Sequence, residues 1–451
     1  MDCSDKGSVT RVLLEAGFGN EAEEHAGAFV TSAKALGPSV SALRAWWVPG
    51  RIEVLGKHTD YAGGRSLLCA TDRGIAFVVK PRPDKVISIT DSHTGDTDSF
   101  EASPDLDTST GDWRNYPRTA VRRIASNFGA LSGVEIAFHS NLPQAAGMSS
   151  SSALIVGFTL ILIRTNGLDG RDIYKENIGN DEELAGYLGT VENGQTFGTL
   201  EGGAGVGTFG GSEDHTAILC ASADTLKRYA FCPVQHERTV GFPRSLTFVV
   251  ASSGVVAEKT GGALELYNRA SRLAGAVTNA INKGLGDSHP HLAAAIQSVG
   301  VDGVRSALSG ATDSDFGVDD LLDRFDQFVR ESEQIIPAAT DALDGNDVEG
   351  FARYISESQA NGARRLKNQV EETVWLAEQA ERLGARSASA FGAGFGGSVY
   401  ALVDTDRAAA FASEWASAYR SAFPARADAS VFFLTRPGPA TFELADQSSK
   451  V

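Results

Sequence analysis

Residues 143–154 read Pro143-Gln144-Ala145-Ala146-Gly147-Met148-Ser149-Ser150-Ser151-Ser152-Ala153-Leu154. A glycine and four serines stand directly before an apolar run, Ala153 to Ile163. A helix starting at the serines would aim its free N–H groups and several hydroxyls at one point. Such a point holds phosphate, because the first amides of a helix lack intrahelical acceptors and the dipole there is positive. Serine also caps helices well, so a cap alone is the competing reading. One serine suffices for a cap. Four after Gly147 suit a phosphate drawn close to backbone amides, with one hydroxyl on Mg2+. No Lys-Ser/Thr pair follows the glycine, so the segment is not a Walker loop.

The bulk composition narrows the classes. At 451 residues the chain exceeds one ordinary core, and two lobes are expected. A formal net charge of −17 argues against nucleic acid and anionic lipid as partners. Any anionic substrate then needs a local positive pocket. Cys3, Cys69, Cys220 and Cys232 are scattered without zinc spacing and read as reduced thiols. The N-terminus lacks a basic start and an apolar core, and Ala153 to Ile163 is too short to span a bilayer. A cytoplasmic location with no membrane partner is therefore expected.

Outward from the serines, the chain alternates helical and extended signals. Thr10 to Leu36 reads as helix, Ser41 to Leu55 as extended but interrupted at Pro49-Gly50, and Ser66 to Lys80 as strands. Val86 to Thr90 and Val134 to His139 continue the sheet around a helix at Asp112 to Asn127. The post-serine helix is apolar on every face, which predicts burial between layers. Gly202 to Gly211 reads as a flexible insertion and Thr216 to Cys220 as a strand. Gly241 to Arg244 marks a boundary, dividing the chain into 1–241 and 242–451. Beyond it, Leu246 to Ser252, Ser398 to Val403 and Ala429 to Thr435 read as strands. Gly262 to Lys283, Asp319 to Leu343 (broken at Pro337) and Val348 to Leu383 read as helices, and the tail from Arg436 as loose.

Two more segments carry chemistry. Pro49-Gly50-Arg51-Ile52-Glu53-Val54-Leu55-Gly56-Lys57-His58-Thr59-Asp60-Tyr61 combines a strand with a polar turn. Arg51 can fork onto a carboxylate and a phosphate, or make a surface salt bridge. His58 and Asp60 can bond sugar hydroxyls, or merely shape the loop. Asp214, in Gly210-Gly211-Ser212-Glu213-Asp214-His215, can accept a hydroxyl proton, or cap a turn. Glu192 is a candidate Mg2+ carboxylate or an ordinary helix-end acid, with Glu201 competing. Phe391 to Ser398 (FGAGFGGS) permits close backbone approach.

Together, in this order, the three segments resemble those of galactokinases and, more widely, the GHMP sugar- and metabolite-kinase superfamily. The pattern P-G-R-x-N-x-x-G-E-H-T-D-Y-x-x-G is matched by Pro49 to Gly64, P-x-x-x-G-L-S-S-S-A-A-L by Pro143 to Leu154, and G-x-G-F-G-G by Gly392 to Gly397. The resemblance implies a two-lobed α+β fold with ATP and a sugar bound between the lobes. It implies Asp214 and Arg51 as catalytic residues. Lys57, His58, Asp60, Gly211 and Tyr267 would face the sugar. Trp113 would lie near adenine, and Gly147, Ser149, Ser150, Ser151, Ser152 and Gly394 around the phosphates. Ser151 and Glu192 would hold Mg2+. The implied activity is ATP-dependent phosphorylation of the C1 hydroxyl of galactose or a galactose-like sugar.

Lys57 departs from this family, which has glutamate there. Lysine donates and cannot accept. A C6 carboxylate would suit it better than a C6 hydroxyl, so a hexuronate such as galacturonate is an alternative substrate. The other possibility is that Lys57 points to solvent and galactose sits in a shifted pose. Glu53 replaces the family's asparagine, Ser152 an alanine, and His215 the glutamine after the catalytic aspartate. Two rivals stand beside the sugar-kinase reading: a kinase of a non-sugar alcohol, and a non-catalytic sensor of sugar and ATP.

Overall fold

A computed structural model describes residues 2–19, 21–37, 43–108, 112–143, 147–255, 262–311 and 313–445. Residues 144–146 of the serine segment and the tail beyond 445 lie outside the described residues. The first elements are α1 (Lys6–Glu15), α2 (Ala22–Ala35), β1 (Arg44–Leu55), β2 (Arg65–Pro81), β3 (Val86–Asp91) and β4 (Thr97–Glu101). Next come α3 (Asn115–Phe128), β5 (Val134–Ser140), α4 (Ser150–Thr165), α5 (Asp172–Lys175), α6 (Asp181–Asn193) and α7 (Glu213–Cys220). Then follow β6 (Thr225–Ala230), β7 (Gln235–Gly241), β8 (Leu246–Ser252), α8 (Gly262–Leu285), α9 (Leu292–Leu308) and α10 (Val318–Phe328). The chain finishes with α11 (Ile336–Asp344), α12 (Val348–Asn361), α13 (Glu371–Arg382), β9 (Ser387–Phe391), β10 (Ser398–Asp404), α14 (Ala408–Ala422), β11 (Val431–Thr435), β12 (Pro437–Gly438) and β13 (Phe442–Glu443).

Two sheets organise the described residues. The larger runs β13-β1-β2-β5-β3-β4, with β12 and the β6–β7 hairpin added onto β2. Only β3 and β5 pair in parallel within it. The smaller is antiparallel, in the order β11-β8-β10-β9. Between β7 and β8 the chain passes from one sheet to the other. It returns at the end: β12 pairs with β2 and β13 with β1. The described part of the tail is therefore not loose.

The layers follow from side-chain chemistry. In α4, residues 152–163 are all buried, as an all-round apolar helix requires, and they share one core with β1, β2, β5, α3 and α6. Phe29 of α2 and Trp47 of β1 belong to a second core on the opposite side of the large sheet. In the small sheet, Val249 and Ala401 pack with Leu376 of α13 and Trp415 of α14. A separate helical core joins α8, α9 and α10.

Some expectations fail locally. The helix expected over Thr10 to Leu36 is two helices, parted by a turn in which Gly17 has φ +100°. Thr216 to Cys220 is helical, the C-terminal part of α7, with Thr216 Oγ1 donating to Ser212 O at 2.8 Å. Five residues span too little of either period to separate strand from helix. The glycine run after 201 is pinned to the end of α6: Val206 N donates to Glu192 O at 2.8 Å and Gly203 N to Gly194 O at 3.0 Å. Before Pro337 the helix widens into a π turn, Val329–Ile335, and proline occupies the first turn of α11, where its missing N–H costs nothing. Val348 to Leu383 is likewise two helices, separated by a second π turn and Lys367 at φ +54°.

Candidate active site

A cavity of about 970 Å³ opens where the two sheets meet. Its walls come from β1, the turn after it, the serine segment, α7 and the loop after β9. Local backbone chemistry creates this convergence. The β1–β2 register shifts between Pro49 and Arg51, a bulge that re-aims the strand at Arg51. A Cβ at Gly50 would stand 2.6 Å from Leu142 Cδ2 and 3.0 Å from Met148 O, so glycine lets the serine segment close onto β1. Arg51 N then donates to Met148 O at 3.3 Å.

The serine segment turns sharply at Gly147 (φ +72°) and Ser149 (φ +58°) before α4 begins. Ala153 N makes a helical bond to Ser149 O at 2.8 Å, so the amides of Ser150, Ser151 and Ser152 belong to the open first turn. Ser149, Ser150 and Ser151 line the cavity. Ser149 Oγ is buried without a partner among the described residues. A buried orphan hydroxyl beside a helix N-terminus suits a bound anion.

Arg51 and Asp214 meet at the cavity floor. Arg51 Nε donates to Asp214 Oδ1 at 2.7 Å and Nη2 lies 2.6 Å from the same oxygen, while Nη1 donates to Gly147 O. Burial opposes the guanidinium charge, yet Asp214, Glu213 and Glu53 outweigh it and raise the Arg51 pKa. Ser152 Oγ lies 2.8 Å from Glu192 Oε2 and 3.3 Å from Asp214 Oδ2. His215 Nε2 stands 3.1 Å from Glu192 Oε2. The serine hydroxyl beside Glu192 is thus that of Ser152, where Ser151 was the expectation. Glu192 is buried and lines the cavity, whereas Glu201 is exposed. A hard cation held by a carboxylate and phosphate oxygens fits Glu192 on the cavity wall, while Ser152, fully buried and outside that wall, fixes the carboxylate by donating to it.

At the other end, His58, Asp60, Tyr61, Gly211 and Tyr267 all line the cavity. A Cβ at Gly211 would collide with Asp60 Oδ2, so glycine there lets α7 approach the turn. Asp60 Oδ2 accepts from Glu213 N at 3.2 Å. Burial raises the Asp60 pKa, against hydrogen bonds from the Tyr61 and Glu213 amides. His58 holds Ala393 O at 3.1 Å with Nε2 and Tyr61 Oη at 2.8 Å with Nδ1. A carbonyl only accepts, so Nε2 carries the proton and Nδ1 accepts from the tyrosine.

Besides Ser152, two expected site residues lie outside the cavity wall. Lys57 is buried and outside the cavity wall; its Nζ donates to Ser389 Oγ at 2.7 Å and Ser358 Oγ at 3.0 Å. It neither faces solvent nor presents its charge to the cavity. Gly394 (φ +80°) packs on Asn368 O, where a Cβ would collide, and it is Gly392 and Ala393 that line the cavity. Trp113 does line it, edge-on to Phe138 at 5.6 Å between ring centroids.

Glu53 and Glu213 also line the cavity, although the sequence suggested no role for either. Glu213 Oε2 accepts from Ser66 Oγ at 2.8 Å, and burial with Glu53 and Asp60 nearby pushes its pKa well up. The available signal was periodicity: Glu53 lies two residues along β1 from Arg51, on the same strand face.

The profile described as galactokinase galactose-binding signature matches residues 34–81, that of the GHMP kinases N terminal domain 115–204, and that of the GHMP kinases C terminal 339–421. A galactokinase of Roseiflexus sp. is 26% identical over 377 residues, 83% of this chain and 87% of that protein. A galactokinase of Pyrococcus furiosus is 25% identical over 391 residues, 86% of this chain and 96% of that protein. In fold, the chain is similar to Lactococcus lactis galactokinase complexed with galactose, with a TM-score of 0.72 at 20% identity, covering 91% of this chain and 97% of that one. Methanococcus jannaschii mevalonate kinase gives a TM-score of 0.52 at 14% identity, covering 89% and 99%. Three family profiles in chain order, together with full-length relatives, place the chain in the GHMP kinase superfamily as a galactokinase-like member.

Proposed function

We propose that the protein transfers the γ-phosphoryl group of ATP to the C1 hydroxyl of galactose or a closely related sugar. The observation that carries this is the Arg51–Asp214 pair, held between an open helix N-terminus and a polar pocket in one cavity. The galactokinase relatives support the same reading. The amides at the start of α4 and the hydroxyls of Ser149, Ser150 and Ser151 suit the phosphates, and Trp113 the base. His58, Asp60 and Tyr267 suit sugar hydroxyls.

In the reaction the sugar oxygen bonds to the γ phosphorus as the bond from that phosphorus to the β–γ bridging oxygen breaks. Asp214 orients the attacking hydroxyl and takes its proton, and ADP leaves with the bridging oxygen. Arg51 neutralises charge on the transferring group and, through Gly147 O, ties it to the phosphate loop. Glu192, fixed by the Ser152 hydroxyl, would hold Mg2+, which would supply charge neutralisation of the phosphate oxygens. Most of the acceleration comes from positioning and fixed charge, as phosphoryl transfer requires.

The test is ADP release with Mg-ATP against galactose, galacturonate, glucuronate, arabinose, glucose and N-acetylgalactosamine. Galactose-dependent release with galactose 1-phosphate as product is expected. Binding of ATP and galactose without any release would reject the kinase reading.

A further inference from the structure

Arg51 and Glu53 project from one face of β1 into the cavity, while Ile52 and Val54 enter the core behind it. Glu53 is only 3% exposed. Its Oε2 accepts from Gly392 N at 3.1 Å, but its Oε1 is buried without a partner among the described residues. An orphaned carboxylate oxygen on a cavity wall is costly in the empty protein. A donor delivered by a ligand would remove that cost.

The surrounding charges say which ligand. Lys57 Nζ is committed to Ser358 and Ser389 behind the wall. The pocket face itself carries Glu53, Asp60, Glu213 and Asp214, with Arg51 already on Asp214. Acidic side chains accept hydrogen bonds from hydroxyls, and gathering a further carboxylate among them is disfavoured, as the raised pKa of Glu213 beside Glu53 and Asp60 already shows.

We propose that Glu53 is a specificity-determining residue that accepts a hydrogen bond from a hydroxyl of a neutral sugar and excludes uronates. This rests on the sugar-kinase reading above. Glu53 does the accepting that Lys57 cannot do, and Lys57 is the buried counter-charge behind it. Burial raises the Glu53 pKa to about 7 against the pull of Lys57 and Arg51. A donated hydroxyl proton favours the ionised form.

The test is calorimetric titration of galactose, each monodeoxy-galactose and galacturonate into the full-length protein and its Glu53→Gln and Glu53→Ala variants. In the wild type, one deoxy position is expected to cost roughly tenfold or more in affinity. In Glu53→Ala that particular cost should disappear, with the other deoxy costs and ATP affinity within about twofold of wild type. Glu53→Gln, the isosteric variant, keeps the test alive if alanine does not fold; the same cost should shrink there. Unchanged deoxy costs in a folded variant would overturn the proposal. So would galacturonate binding to the wild type as tightly as galactose. Failure of the wild type to bind any neutral sugar would instead sink the sugar-kinase reading, and this proposal with it.

Discussion

The Arg51 guanidinium holds Asp214 Oδ1 from two nitrogens, Nε at 2.7 Å and Nη2 at 2.6 Å. The partners come from β1 and from the first turn of α7, 163 residues apart. An acid in the first turn of a helix is also favoured by the helix dipole. Asp214→Asn keeps the size but loses the proton acceptor. We expect kcat to fall by roughly 10²–10⁴ with ATP affinity nearly unchanged. Retention of a tenth of the wild-type kcat would remove Asp214 from the mechanism. Arg51→Lys cannot fork, and its kcat/KM should fall by roughly tenfold or more.

Lys57 is expected to matter more for stability than for substrate choice, because its ammonium is turned away from the cavity. Its ammonium is buried beside Ser358, whose Oγ in turn lies 2.6 Å from Glu331 Oε1. Lys57→Met leaves that region without its cation and should cost on the order of 3 kcal/mol. Urea denaturation measures this. Lys57→Glu should destabilise further and should not invert the galactose-to-galacturonate preference.

The Ser152–Glu192 contact is the ground for proposing that, among the four serines, Ser152 supports the metal carboxylate from behind the cavity wall. Ser152→Ala or Glu192→Gln should raise the Mg2+ concentration for half-maximal activity by roughly tenfold or more. Ser151→Ala should raise it less. The reverse ranking in a Mg2+ titration would return the role to Ser151.

His58 links the site to pH. Burial, then Arg324 and Lys57, lowers its pKa to about 4, and the Ala393 carbonyl pulls the other way. In the unfolded chain it titrates near 6.5. Between those values the unfolded state binds more protons, so the contribution of His58 is present above 6.5 and lost as pH falls towards 4. Glu53, raised to about 7, has the opposite sign and opposes this over the same range. His58→Gln isolates the histidine. The stability difference between wild type and variant should narrow as urea midpoints are compared from pH 7 to pH 5. A constant difference would contradict the lowered pKa.

Much was legible because it is local. Gly147 with four serines before an apolar run specifies an open helix start and a helix buried on all sides, and α4 is both. Ordered segments around Arg51 and Asp214 named the two residues that meet at the cavity floor. What failed depended on partners distant in the chain. Cys220 ends a helix because α7 packs beside α4 and α6, which its own short apolar run cannot reveal. The tail becomes strand because β1 and β2 leave edges free to pair with it.

By itself the sequence determined the glycine–serine turn before α4, the strand face that carries Arg51, and the residue types available for phosphoryl transfer. These depend on periodicity, on glycine at strained turns and on side-chain chemistry. Only the tertiary structure decided the direction of Lys57, the isolation of Glu53 Oε1 and the choice of Ser152 beside Glu192. Each depends on what stands opposite a side chain. Ser358 and Ser389 lie 301 and 332 residues beyond Lys57, and no local pattern encodes such a meeting.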